Sequence, residues 1–250
     1  EQTLISLNAN ESKVFNELGC KVENYYPVGS LLASLHFDNV TDESISSRFD
    51  VLIVSTWRGN IGYSVDVVDT MKSMKAMDEL LSKYIKLRKI NASVILRSER
   101  NSEHWNVEGF GNEYDYYRSI YGNSVHIEEA NFTARNVYQS MQQSRLIISC
   151  LSGALIEAYG IGKKILYFNY TGKKIYHCDF DSKFVIEEND FSKVVQIIDE
   201  LLDQSENEYH TIHLENIKTV MSYPEDAPTY DEIKSKIDEI IDRHNSPITT

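Results

Sequence analysis

Between Asp50 and Phe168 the sequence alternates short, β-branched apolar runs with longer segments whose apolar residues recur every three or four positions. That alternation constrains the fold more than any other feature. A run of four to eight apolar residues fits a strand covered on both faces, and a 3.6-residue apolar period describes a helix that buries one side. The runs are Asp50–Ser55 (DVLIVS), Ala92–Leu96 (ASVIL), Ser124–Ile127, Leu146–Cys150 and Lys164–Phe168. The helical segments are Val65–Leu87, Glu113–Tyr121, Ala134–Gln142 and Gly153–Tyr159. In the first of these Val68, Met71, Met74, Leu80, Leu81 and Ile85 fall on one face, with the methionines as adaptable core filler.

Strands and helices in this order imply right-handed crossovers, so the expected class is α/β: a Rossmann-like parallel sheet with helices on both faces. Around it, a short helix near Asn10–Leu18 and an extended run Val22–Val28 make an N-terminal stub, residues 1–37. Residues 38–49 are polar and read as a linker into the main domain, residues 50–225. Phe180–Phe184 reads as an edge element and Asp190–Leu202 as an amphipathic helix, and residues 226–250 hold a terminal helix, Tyr230–Ile241. The chain opens at Glu1 with neither Met nor targeting segment, as a piece of a longer protein or a trimmed chain would.

Composition excludes several classes. A net charge of -13 and a pI near 5.0 argue against nucleic acid, whose phosphates are gripped by clustered Lys and Arg. No apolar stretch approaches the roughly 20 residues of a transmembrane helix. Cys20, Cys150 and Cys178 are odd in number and lack CxxC spacing, so the sequence offers neither a disulfide framework nor a zinc site and fits a reducing cytoplasm. Sequons at Asn39, Asn91, Asn131 and Asn169 are of a kind common by chance. GxGxxG after the first strand, GxxxxGK[ST], GxSxG and HExxH are all absent.

In an open parallel sheet, ligands bind beyond the carboxyl ends of the strands. Three loops there carry chemistry. Ser149-Cys-Leu-Ser152-Gly153 leaves a strand and enters a helix, so its small residues and the helix amides suit a phosphate. Glu157, one turn on, is placed to accept hydrogen bonds from a ribose diol; equally, Ser152 caps the helix and Glu157 answers its dipole. Arg97-Ser-Glu-Arg100 offers a guanidinium fork in Arg97, whereas Arg100 reads as a surface ion pair with Glu99. Ser55-Thr-Trp57-Arg58-Gly-Asn60 offers a hydroxyl and a second arginine, with Trp57 either packing or stacking on a base. His104 and His126 are isolated and are assigned no role. The candidate donor-binding residues are therefore Ser55, Arg58, Arg97, Ser149, Ser152, Gly153 and Glu157; no catalytic residue and no metal ligand is identified.

The run SRLIISCLSGALIEAYGIGKKILYFN (Ser144–Asn169) resembles the C-terminal half of GT-B glycosyltransferases, where a strand, a Ser-rich turn, a helix with Glu and a Gly-Lys-Lys strand build the nucleotide-sugar site. With PVGS (27–30), VILRSER (94–100), NEYDYYRSIYG (112–122) and YQSMQQS (138–144), the chain resembles bacterial surface-carbohydrate proteins related to Kdo and polysialic-acid-type transferases. The resemblance implies a GT-B C-terminal-type domain that takes a nucleotide sugar as donor substrate and a glycan or glycolipid as acceptor, in polysaccharide, lipopolysaccharide or capsule synthesis. It implies no metal and no cofactor, a cytoplasmic site of action at the inner face of the membrane, and a general base on an N-terminal half of which only the stub is present. Ser98-Glu99 stands where related transferases carry His-Pro. A non-catalytic nucleotide-sugar-binding or assembly module, a CDP-polyol phosphotransferase-like enzyme and a nucleotide-sugar epimerase are the alternatives.

Overall fold

The computed structural model describes residues 3–37, 47–58, 65–97, 111–129, 135–223 and 228–245. Readings that fall on Asn39, Asn60, Ser98, Glu99, Arg100, His104, Asn131 and most of the 38–49 linker lie outside the described residues.

The five apolar runs become β3 (Phe49–Val54), β4 (Ala92–Ile95), β5 (Val125–Glu128), β6 (Ser144–Cys150) and β7 (Lys164–Phe168), joined by β8 (Val185–Ile186) in one parallel sheet of spatial order β5-β4-β3-β6-β7-β8. Central β3 pairs Val51–Val54 with Ala92–Ile95 on one side and aligns Val54 with Ser149 on the other. Leu52, Ile53, Ile147, Ile148, Ile165 and Leu166 are wholly buried, as continuous β-branched and Leu runs require when both faces are covered. The covering helices are α3 (Val65–Arg88), α4 (Glu113–Tyr121), α5 (Arg135–Gln142), α6 (Ala154–Gly160), α7 (Phe191–Asp203) and α8 (Glu206–Val220). The Rossmann-like class expected from the alternation is thus the fold observed.

Three local expectations need correction. Val68 does not pack: it is 44% exposed, while Met71, Met74 and Met77 form the buried stripe of α3. The edge strand is not Phe180–Phe184 but Val185–Ile186, because Asp181 accepts a hydrogen bond from the Lys183 amide and winds Ser182–Phe184 into a 3-10 turn. Helix α8 was not expected; its buried stripe of Tyr209, His213, Ile217 and Val220 is too narrow and polar to show as an apolar period.

The N-terminal segment holds β1 (Thr3–Ser6), α1 (Glu11–Glu17), β2 (Asn24–Pro27) and α2 (Leu31–Phe37), with β1 and β2 paired in parallel. It is tied to the sheet unit where α8 ends: the Asn8 side-chain amide donates to the Val220 carbonyl at 2.9 Å and the Ser222 amide to the Leu7 carbonyl at 2.8 Å. The last helix, α9 (Thr229–Asn245), packs against α2, and Thr229 Oγ1 donates to the Val28 carbonyl at 3.0 Å.

Candidate functional site

Strand order reverses between β3 and β6, and at such a switch point the connecting loops diverge and leave a crevice at the carboxyl ends. Two candidate loops, Ser55–Arg58 after β3 and Leu151–Gly153 after β6, flank that point. Leu151 has φ +56°, a left-handed conformation that costs a Leu on the order of 1–3 kcal/mol and collects at functional sites. Its side chain is held in the core at 5% exposure, so the turn lifts Ser152 and Gly153 to the rim. A Cβ placed on Gly153 would meet nothing within 4 Å, which leaves the backbone there open to a ligand. Ser152 Oγ accepts from the Ala154 amide at 3.3 Å, a local turn bond, and the helix it precedes is only seven residues long.

Arginines stand in the loops that follow β3 and β4. Burial chiefly, and the charge of Arg58 next, lower the pKa of Arg97, with Glu113 opposing them. Arg58 also acts electrostatically on Cys150, at the end of β6. Among the described residues Arg58 has no carboxylate partner, and Arg97 spends one guanidinium nitrogen on the Trp57 carbonyl at 3.4 Å. The charge of Arg58 thus bears on Arg97, in a chain whose net charge is -13, and guanidinium groups are the side chains best suited to fork a phosphate.

Other candidates prove to be scaffold. Ser149 is wholly buried and donates to the Val54 carbonyl at 2.5 Å, stitching β6 to β3. Ser55 is buried and donates to Glu113, whose carboxylate also accepts the Arg97 amide at 2.8 Å. Glu113 is 1% exposed in the first turn of α4 and so fixes both arginine-bearing loops; no sequence signal marked it beyond an acidic residue after the Asn112 cap. Trp57 is packing, wholly buried with its ring 5.3 Å from that of Tyr116. The Gly-Lys-Lys segment lies at the opposite end of the sheet. Lys163 donates to the Gln142 carbonyl at 3.3 Å, and Lys164 donates to the Leu201 carbonyl at 2.7 Å and to that of Gln204, closing the C-terminus of α7.

Glu157 lies one turn into α6 with both carboxylate oxygens engaged: Ser30 Oγ donates to Oε1 at 2.5 Å and Tyr138 OH to Oε2 at 2.9 Å. Sequence separations of 127 and 19 residues put both partners beyond any local motif. Thr56, 3% exposed after β3, and Asn169, 1% exposed after β7, each hold a buried polar atom that no group among the described residues satisfies. Burial also makes Asn169 unfit as a glycosylation acceptor. Among the described residues no group of three or more His, Cys, Asp or Glu is placed to hold a metal, and no helix is long and apolar enough to cross a membrane.

The sequence matches no known protein family and no curated protein. Solved structures do match. The UDP-GlcNAc 2-epimerase of Methanocaldococcus jannaschii, solved with UDP-GlcNAc and UDP, superposes with a TM-score of 0.59 at 12% identity, covering 96% of this chain and 61% of that one. The wall teichoic acid polymerase TagF gives 0.56 at 13% identity, over 98% and 59% of the two chains. The UDP-GlcNAc 2-epimerase of Neisseria meningitidis, bound to UDP-GlcNAc, gives 0.54 at 13% identity, over 95% and 61%. These are GT-B-type folds, and likeness at such identity shows the fold alone. The chain spans about three fifths of the length of each.

Proposed function

We propose that this chain binds a nucleotide-activated sugar and is a GT-B glycosyltransferase, or the donor-binding half of one, in assembly of a bacterial surface polysaccharide. The paired arginines at the switch point carry this reading: Arg58 and Arg97 hold the donor diphosphate or phosphate beside the open backbone of Ser152-Gly153, and Glu157 receives the ribose. As the glycosidic bond breaks, negative charge grows on the leaving phosphate, and fixed guanidinium groups stabilise it electrostatically without a metal. That matched structures contain UDP-GlcNAc, and that another is named a wall teichoic acid polymerase, supports both the donor class and the setting. In this reading the donor meets a glycan or glycolipid acceptor at the cytoplasmic face of the membrane.

A thermal-shift screen against CMP, CDP, UDP, GDP and their sugars tests the donor site, with Arg58→Ala and Arg97→Ala as controls. A ligand at one hundred times its Kd stabilises by about 2.7 kcal/mol. The expected result is a base-selective shift that either substitution removes. No shift with any nucleotide sinks the proposal. A chain spanning about three fifths of its structural neighbours also supports a second reading, a binding or assembly module without turnover. Release of free nucleotide from a sugar donor by this chain alone decides against that module.

A further inference from the structure

Ser30 stands where the N-terminal segment meets the sheet unit. Gly29 before it has φ +78°, and a Cβ there would lie 2.7 Å from ring atoms of Tyr223 and 3.0 Å from the Ser222 carbonyl, so this loop is seated tightly at the exit of α8. Ser30 Oγ accepts the Ala33 amide at 3.3 Å at the start of α2 and donates to Glu157. Tyr138, on α5, closes the arrangement from the other side. Burial first, and the Glu157 charge next, raise the pKa of Tyr138, so it stays a donor throughout the usual pH range. The His36 ring of α2 stacks on the Tyr138 ring with centroids 5.6 Å apart.

An ionised carboxylate has about four acceptor positions, two on each oxygen. Ser30 fills one on Oε1 and Tyr138 one on Oε2. Among the described residues no other donor reaches either oxygen, so of about four acceptor positions roughly one remains on each, in a carboxylate held from two sides. Two neighbouring acceptors so fixed match a vicinal diol, which brings two hydroxyl donors; a 2′-deoxyribose brings one.

We propose that Ser30 and Tyr138 are positioning residues that hold Glu157 to read both hydroxyls of a ribose, so the site selects ribonucleotides over deoxyribonucleotides and is complete only with the N-terminal segment in place. This rests on the nucleotide-site reading above. A pocket built to hydrogen-bond a hydroxyl discriminates strongly against the analogue that lacks it, because its own polar groups are then left unpaired.

The test uses the intact chain and whichever of CMP, CDP, UDP and GDP stabilises it most, titrated calorimetrically beside its 2′-deoxy form. The wild type should prefer the ribonucleotide by about tenfold or more. Ser30→Ala and Tyr138→Phe should each lose most of that preference through weaker ribonucleotide binding, with deoxyribonucleotide affinity held within about twofold. Ser30→Thr keeps the hydroxyl and should restore the preference. A wild type that binds nucleotides without preferring ribose overturns the inference and leaves the donor site standing. An unchanged preference in both variants, or an equal loss of both nucleotide forms, overturns it too. Binding of no nucleotide at all removes the donor-site reading first, and this inference with it.

Discussion

Single side chains divide here into those that build the switch point and those that face it. Lys164 shows how a motif misleads. In the sequence it belongs to a Gly-Lys-Lys run beside a plausible phosphate loop, yet strand direction carries it to the far end of β7, where its buried ammonium holds the Leu201 and Gln204 carbonyls. A cation at a helix C-terminus satisfies carbonyls that lack intrahelical partners and meets the negative end of the dipole. Lys164→Met keeps the stem and removes the charge, so it should cost about 2 kcal/mol in urea unfolding and leave nucleotide affinity unchanged. Loss of binding without loss of stability would place Lys164 in the donor site after all. Gly29 makes the opposite case, a residue with no chemistry and a demanding position. Gly29→Ala forces a Cβ against the Tyr223 ring at φ +78° and should cost about 2–3 kcal/mol, measured in the same way. Neither role is visible in sequence, since each depends on a partner far along the chain.

Elements were legible in proportion to how much apolar surface they bury. Strands β3, β6 and β7 are continuous apolar runs because both their faces are covered, and they announced themselves. Helix α8 buries a narrow stripe and escaped, although Ser205 and Glu208 form a Ser-x-x-Glu start signal in which Ser205 Oγ accepts the Glu208 amide at 3.2 Å. The contact between α3 and α4 was equally hidden. Asp78 lies wholly buried between them and accepts Tyr116 OH and Tyr121 OH, each at 2.8 Å. Burial outweighs these two hydrogen bonds and pushes its pKa from 3.8 up to about 7. An unfolded chain releases this proton near pH 3.8, whereas the folded chain keeps it until about 7. Between those values the folded state binds more protons, and stability falls as pH rises. The contribution is fully present below the unfolded value and gone above the folded one. Asp78→Asn should flatten that part of the curve, so the wild-type-minus-variant difference in unfolding free energy should decline steadily from pH 4.5 to about 7 and then level. A difference independent of pH would mean that Asp78 is ionised in the folded chain at every pH tested.

At the scale of the whole molecule, the fold class followed from alternation alone, and the switch point that it implies lies between β3 and β6, the strands that the Ser55–Arg58 loop and the Ser152-Gly153 turn follow. What alternation does not reveal is the joint between the N-terminal segment and the sheet unit, made by Asn8, Ser30 and Thr229 across long sequence separations. Charge at this scale works against charge at the site. The chain carries -13 overall, while the proposed donor site holds Arg58 and Arg97. At about 10 mM salt the Debye length is roughly 30 Å, so an approaching nucleotide is repelled by the molecule as a whole before it senses the arginines. At about 150 mM that length is roughly 8 Å, the distant acidic groups are screened, and the nearby arginines still act. The association rate of the best nucleotide from the screen, followed by stopped flow, should therefore rise as salt increases over this range. Its dissociation rate should rise as well, because salt also weakens the arginine–phosphate contact once it is made. A steered site behaves the other way, with association fastest at the lowest salt. That outcome would show the local field of Arg58 and Arg97 reaching beyond the crevice, and capture of the donor governed by the site rather than opposed by the molecule around it.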